Sequence, residues 1–194
     1  MKMKTLCLQV FAAILLASCM SPWPPRPADL LFHVAATENA ITAVTPGMID
    51  HVAIMISADS VIEAVGKGVV TTPLDSLRKQ KGYYLYARVR HADRQRSIAN
   101  ARRFLGQPYD SLYLPDNEAV YCSELVLLSF VNKRGKPIFQ PIPMTFRDST
   151  GQIPTYWQEF YERNGMDVPE GRPGSNPSEL SQRKGVRIIR RIIK

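Results

Sequence analysis

The chain has 194 residues, of which 45% are hydrophobic and 22% charged, with a formal net charge of +8. That length supports one domain with a sizeable core and is short for two, and the composition excludes a disordered chain. The basic excess comes without an aromatic-interleaved groove or a nucleic-acid motif, so nucleic acid is not expected as a partner.

Residues 1–18 do not belong to the fold. Lys2 and Lys4 form a basic start, residues 6–16 an apolar run, and the small residues Ala17 and Ser18 follow. The run has signal-peptide length and is short for a membrane span. Cys19 comes next, and Leu16-Ala17-Ser18-Cys19 resembles the lipobox of bacterial lipoproteins. The resemblance implies cleavage before Cys19, with diacylglycerol on its sulfur and an acyl chain on its amine. Several acyl chains give firm anchoring. The alternative is an ordinary secretory signal followed by a chance cysteine. Residues 20–27 hold four prolines, which suits a semi-rigid tether over residues 19–28. An exported, membrane-anchored envelope lipoprotein is therefore expected, with its domain over residues 29–194. Without residues 1–18 the chain keeps 23 basic and 17 acidic residues, a net charge of +6.

Along that domain, residues 29–34 suit a first strand and 39–45 a brief helix ended by Pro46-Gly47. Residues 50–56 read as a buried strand, with Val52, Ile54 and Ile56 on one face and His51, Ala53 and Met55 on the other. Residues 61–65 form a second strand, and Gly66 and Gly68 bend the chain before Val69 and Val70. Thr72-Pro73 starts a short helix. Residues 83–89 make a third long strand. Residues 93–105 form a surface helix with the stripe Ile98, Ala101 and Leu105, stopped by Gly106. Residues 107–120 read as a loop and 122–131 as an apolar helix. Pro137, Pro141 and Pro143 force loop structure, a helix resumes over 155–162, and 186–193 form a last strand. The tail from 184 to 194 has five basic residues and no acid. It can attract anionic headgroups or acidic polymers, or serve as a solvated surface.

Cysteine and histidine counts narrow the chemistry. Cys7 leaves with the leader and Cys19 is lipidated, so Cys122 is the one free thiol and no internal disulfide forms. Such a thiol is either a buried small hydrophobe or a reactive group. A thiol nucleophile needs a base, and the candidates are His33, His51 and His91. Without a close-spaced pair these make a poor zinc site, and no glycine-rich phosphate loop is present. Neither metal nor cofactor is expected. Cys122 falls at the start of its helix, where unpaired N–H groups and the positive dipole end stabilise a thiolate. Its own N–H can donate to a developing oxyanion. A structural cysteine has no need of that position, so the balance moves to a nucleophile.

His51 stands beside Asp50 at the front of an apolar strand. Glu63 lies within Val61-Ile62-Glu63-Ala64-Val65, where a lone carboxylate costs free energy unless paired. If the two strands are adjacent and antiparallel, Glu63 can orient the His51 ring and stabilise its cation. The other reading is an edge-strand glutamate facing water. His33 and His91 show no comparable partner pattern.

Phe104-Leu105-Gly106-Gln107-Pro108-Tyr109-Asp110, followed by Tyr121-Cys122-Ser123-Glu124-Leu125-Val126, resembles the nucleophile segment of NlpC-type papain-like cysteine hydrolases. There an LGxPY loop leads to a DCSGLV helix start. Asp50-His51-Val52-Ala53-Ile54 precedes the cysteine here, which resembles the circularly permuted YiiX/YaeF-like branch. The GDLLF-like opening of that branch is matched by Ala28-Asp29-Leu30-Leu31-Phe32, and its YCSEL pattern is met in full. The resemblance implies an α+β, circularly permuted papain-like fold: a small antiparallel sheet or half-barrel packed on the nucleophile helix. It implies Cys122 as nucleophile, His51 as general base and Glu63 as orienting residue. Tyr121 replaces the usual aspartate, whose role does not transfer. Tyr109 and Tyr121 are placed at the substrate cleft, with packing a competing role for Tyr109. The implied activity is amide cleavage through an acyl-enzyme, in peptidoglycan peptides beside which an envelope lipoprotein sits, by a monomer. Two rivals stand: a thioesterase or acyltransferase with the same Cys–His pair, marked by an apolar cleft in the 137–154 loops, and a non-catalytic binding lipoprotein.

Overall fold

Runs such as Asp29–Val34 and Ile49–Met55 are apolar at nearly every position, a pattern that suits strands covered on both faces. The computed structural model describes residues 25–192 and places both runs at the centre of a sheet. Its strands are β1 (Asp29–Val34), β2 (Ile49–Met55), β3 (Ser60–Val65), β4 (Gly68–Pro73), β5 (Tyr83–Val89) and β8 (Val186–Ile192). Their order is β4-β3-β2-β1-β5-β8, and every pairing is antiparallel. The helices are α1 (Leu74–Leu77), α2 (Arg94–Arg102), α3 (Cys122–Ser129), α4 (Thr155–Arg163) and α5 (Pro177–Gln182). A two-residue ladder joins β6 (Ile142–Pro143) to β7 (Pro173–Gly174).

Alternation along the strands feeds two cores. Leu30, Phe32, Val52, Ile54, Ile62 and Ala64 pack with Leu125 and Val126 of α3. Leu31, Ala53, Met55, Val61, Tyr84 and Tyr86 pack with Leu77 of α1. A third cluster, Val44, Tyr121, Met144, Phe146, Trp157 and Tyr161, lies outside the sheet and links α4 to the start of α3. The members of all three clusters fall between Ala28 and Val186, so a chain starting at Ser21 keeps this whole core. The leader over 1–18 and Cys19 lie outside the described residues. No described helix is long and apolar enough to cross a membrane.

Several elements differ from expectation. Residues 39–45 form turns, because the Asn39 side chain caps them: its Oδ1 accepts from the N–H of Ile41 and of Thr42. α2 ends at Arg102, and turns carry the chain on to Gly106 at φ 84°. α3 stops at Ser129, since Phe130 is extended. α5 and the β6–β7 ladder have no strong periodicity in sequence and were not foreseen. α5 is nevertheless capped by Asn176, which accepts from the Glu179 N–H at 2.7 Å, with Pro177 at its first position. Glu63 is not on an edge strand: β4 covers β3.

Candidate active site

α3 begins at the cysteine itself. Tyr121 is the N-cap, with φ −99° and ψ 171°, and Cys122 is the first helical residue, buried at 5% exposure. The tyrosine has no short side-chain oxygen to cap the helix. Glu124, three residues on, reaches back and accepts from the Tyr121 backbone N–H, half of a capping box. The Tyr121 phenol points the other way, accepting from the Ser175 N–H at 2.9 Å and contacting Met144 Sδ at 3.6 Å.

α3 packs on β2 and β3. The β2–β3 ladder is registered at Ile54↔Ile62 and Met55↔Val61. Beyond that stretch the strands are joined by side chains: His51 Nε2 donates to Glu63 Oε2 at 2.7 Å. Cys122 is the other group acting on His51, and with Nε2 occupied by Glu63 its Nδ1 is the nitrogen left for the sulfur. Burial alone would lower the imidazole pKa; the bonds and charges of Cys122 and Glu63 overcome this and push it up to about 10. Glu63 is 3% exposed. Burial would raise its carboxyl, but the bond and charge of His51, aided by Thr72 and Lys67, hold it below the ordinary value. The structure thus brings together Cys122, His51 and Glu63, with the ring as a cation between two acidic groups.

A bulge in the β1–β2 ladder aims the neighbouring residue. His33 faces His51 and Val34 faces Ile49, so Asp50 is the extra residue. Asp50 Oδ1 meets His33 Nδ1 at 2.6 Å, and Oδ2 accepts from Asn39 Nδ2 at 2.7 Å. His33 Nε2 lies 2.7 Å from the Lys81 carbonyl, which can only accept. Burial would raise the Asp50 carboxyl, yet His33, Asn39 and His51 hold it below the usual range. Asp50 and the Lys81 carbonyl thus hold the His33 ring between them, one at each nitrogen. His33 does have a partner pattern, contrary to the expectation from sequence; its sign was Asp50, already visible beside His51. His91 is an exposed residue at the junction between β5 and α2, at φ 62°.

Cys122 opens onto a narrow cleft. Ile41, Val44, Tyr113, Met144, Phe146 and Trp157 supply most of its apolar wall. Tyr109 and Tyr121 both line it. The Tyr109 phenol is hydrogen-bonded to Tyr113, and burial raises its pKa. Asp50 is the one charged residue of the lining, and both its oxygens are taken. Glu124 is the residue the sequence reading passed over. Burial, then the Asp110 charge, push its carboxyl up to about 7, and its Oε2 has no partner. Asp110 is buried and accepts from the N–H of Leu112 and Leu114 at 2.9 and 2.7 Å.

This order of groups, with the histidine strand before the nucleophile helix, can be compared with known proteins. The sequence profile of the permuted papain-like amidase enzymes of the YaeF/YiiX, C92 family matches residues 25–189. The chain belongs to this family. Among YaeF/YiiX relatives, the uncharacterized protein YiiX of Escherichia coli (strain K12) is 28% identical over 158 residues, 76% of this chain and 77% of that protein. The crystal structure of metalloprotein yiiX from Escherichia coli O157:H7 superposes with a TM-score of 0.70 at 23% identity. It covers 89% of this chain and 98% of that one, which establishes the shared fold. Among the described residues of this YaeF/YiiX member, those around Cys122 do not fit a metal. Glu63 stands behind His51 rather than beside Cys122, and Asp50 is fully engaged. Among the described residues no group of three or more His, Cys, Asp or Glu is placed to hold one.

Proposed function

We propose that this protein is an exported, lipid-anchored cysteine amidase in which Cys122 is the nucleophile and His51 its base, held in place by Glu63. The observation that carries this reading is that Cys122, at a helix N-terminus on the wall of a cleft, acts on a His51 ring that is hydrogen-bonded to Glu63. The thiolate attacks the amide carbonyl, and the Cys122 N–H donates to the oxyanion that forms. Collapse of the tetrahedral adduct breaks the C–N bond as the His51 imidazolium gives its proton to the departing amine. A thioester on Cys122 is left. Water, deprotonated by the now neutral His51, attacks it and releases the carboxylic acid.

The cleft bears on the substrate. Its apolar and aromatic lining, with no charged group left unpaired, favours an amide whose acyl part is apolar. Met144 and Phe146 come from the 137–154 loops, where an acyl cleft was to be sought. Cell-wall peptides, which carry carboxylates and amines along their length, fit this lining less well and form the second arm of the assay; acyl thioesters form the third. The test uses the chain from Ser21 onward, with each substrate class offered and the reaction quenched in acid. A thioester adduct on Cys122 in intact-mass spectra, absent in Cys122→Ala and favouring acyl groups of growing chain length, is the expected result. No adduct from any class would sink the amidase reading in favour of a binding lipoprotein.

A further inference from the structure

We infer that the end of the sheet where the chain enters the fold is a docking surface for an anionic membrane. The choice of occupant rests on the anchored reading given above. The chain enters at Arg26, whose N–H donates to Asp29 Oδ2 at 2.8 Å. Asp29 is in register with Arg88, and Arg88 with Arg187 on the edge strand β8. Two strand spacings, about 10 Å, thus separate the point of entrance from Arg187.

Cations gather around that point. One concavity there is lined by Arg88, Arg90, His91, Arg187 and Ile188, and a second, sharing His91, by Lys133 and Arg134. Arg96 borders the second, since a Cβ on Gly135 would lie 2.9 Å from its Nη1. Arg90, Arg96, Lys133, Arg134 and Arg187 are all exposed. The acids nearby are committed. Asp29 is 1% exposed and binds Arg88 through both oxygens, at 2.8 and 2.7 Å. Asp93 caps α2 by accepting from the Arg96 N–H.

Two further features favour a bilayer over a soluble acidic polymer. Ile188, 42% exposed, sits among the cations and can enter the interface, which a polyanion would not reward. The seven residue-to-residue steps from Cys19 to Arg26 span at most roughly 25 Å when extended, so an anchor at Cys19 holds this end close to the headgroups. Neither concavity shares a lining residue with the Cys122 cleft, so docking and hydrolysis are separable by mutation.

The test measures partitioning of the chain from Ser21 to Lys194, which lacks the anchor, onto vesicles. Phosphatidylcholine alone is compared with phosphatidylcholine containing about 30 mol% phosphatidylglycerol. Binding to the anionic vesicles only, weakening as salt shortens the screening length, is expected. Arg90→Glu/Lys133→Glu/Arg134→Glu should lower partitioning by more than about 100-fold with an unchanged circular dichroism spectrum. Should that variant unfold, Lys133→Ala/Arg134→Ala on the exposed loop should still lose roughly tenfold. Equal binding to neutral vesicles, salt-insensitive binding, or indifference to the substitutions would overturn the inference. So would preference for heparin, the acidic-polymer probe, over anionic vesicles. Any of these failures leaves the amidase reading standing, because that is read from the Cys122 adduct.

Discussion

The surroundings of His51 favour its cation, and in the proposed mechanism this sets the pH range of the reaction. Its pKa, pushed up to about 10 by Cys122 and Glu63, keeps the proton donor loaded throughout the neutral range. The pair's contribution to stability is full below the free-histidine value near 6.5 and is lost as pH rises through about 10. Hydrolysis should therefore show an alkaline limb near pH 10 that moves down in Glu63→Gln, with turnover reduced by about 10²-fold or more. An alkaline limb that stays put in the variant would show that Glu63 does not act through His51. Glu124 has the opposite sense. Its carboxyl is raised from 4.5 to about 7, so the folded state holds a proton that the unfolded chain gives up earlier. Stability is lost as pH rises from 4.5 to about 7, and Glu124→Gln escapes that loss. Denaturation midpoints should coincide near pH 4 and separate by about 1–3 kcal/mol at pH 8, with the variant the more stable.

At the scale of elements, the approach of the β3–β4 hairpin to the loop before α3 is a structural hinge of the site. Gly68 has φ 102°, and a Cβ there would meet the Gln107 carbonyl at 2.5 Å. The Val69 N–H donates to that carbonyl, and the Gly106 N–H donates back to Val69. Gly68→Ala should cost about 2–3 kcal/mol in chemical denaturation, combining strained φ with displaced backbone. It should also disturb Tyr109, two residues beyond Gln107, on the cleft wall. The 39–45 turns hang from Asp50 through Asn39, and they carry Ile41 and Val44 to the same wall. Asn39→Ala should raise KM by about tenfold, through loss of a hydrogen bond to a charged group, and leave kcat nearly unchanged. A fall in kcat with constant KM would instead place the defect at the bulge carrying His51.

On the scale of the whole molecule, the proposed anchor and the domain make separate predictions. Cys19→Ala should move the protein from the membrane to the soluble fraction without changing the reactivity of Cys122 toward alkylation. Retention in the membrane fraction would mean that the leader, not a lipid, holds it. The sequence alone marked Cys122, His51 and Glu63 as the residues of the proposed site, because each carries a local sign. Cys122 opens an apolar helix after an LGxPY loop, His51 starts a buried strand, and Glu63 is a charge within an apolar run. The strands were legible for the same reason, since their side chains alternate within a few residues. Only the tertiary structure decided the cleft. Val44, Tyr121, Met144, Phe146 and Trp157 come from separate segments, with Val44 far from the rest along the chain, and none signals the others locally. The His33–Asp50 pair and the proton on Glu124 likewise depend on neighbours brought in by folding. Burial and electrostatic coupling are properties of an assembled interior, and no local pattern encodes them.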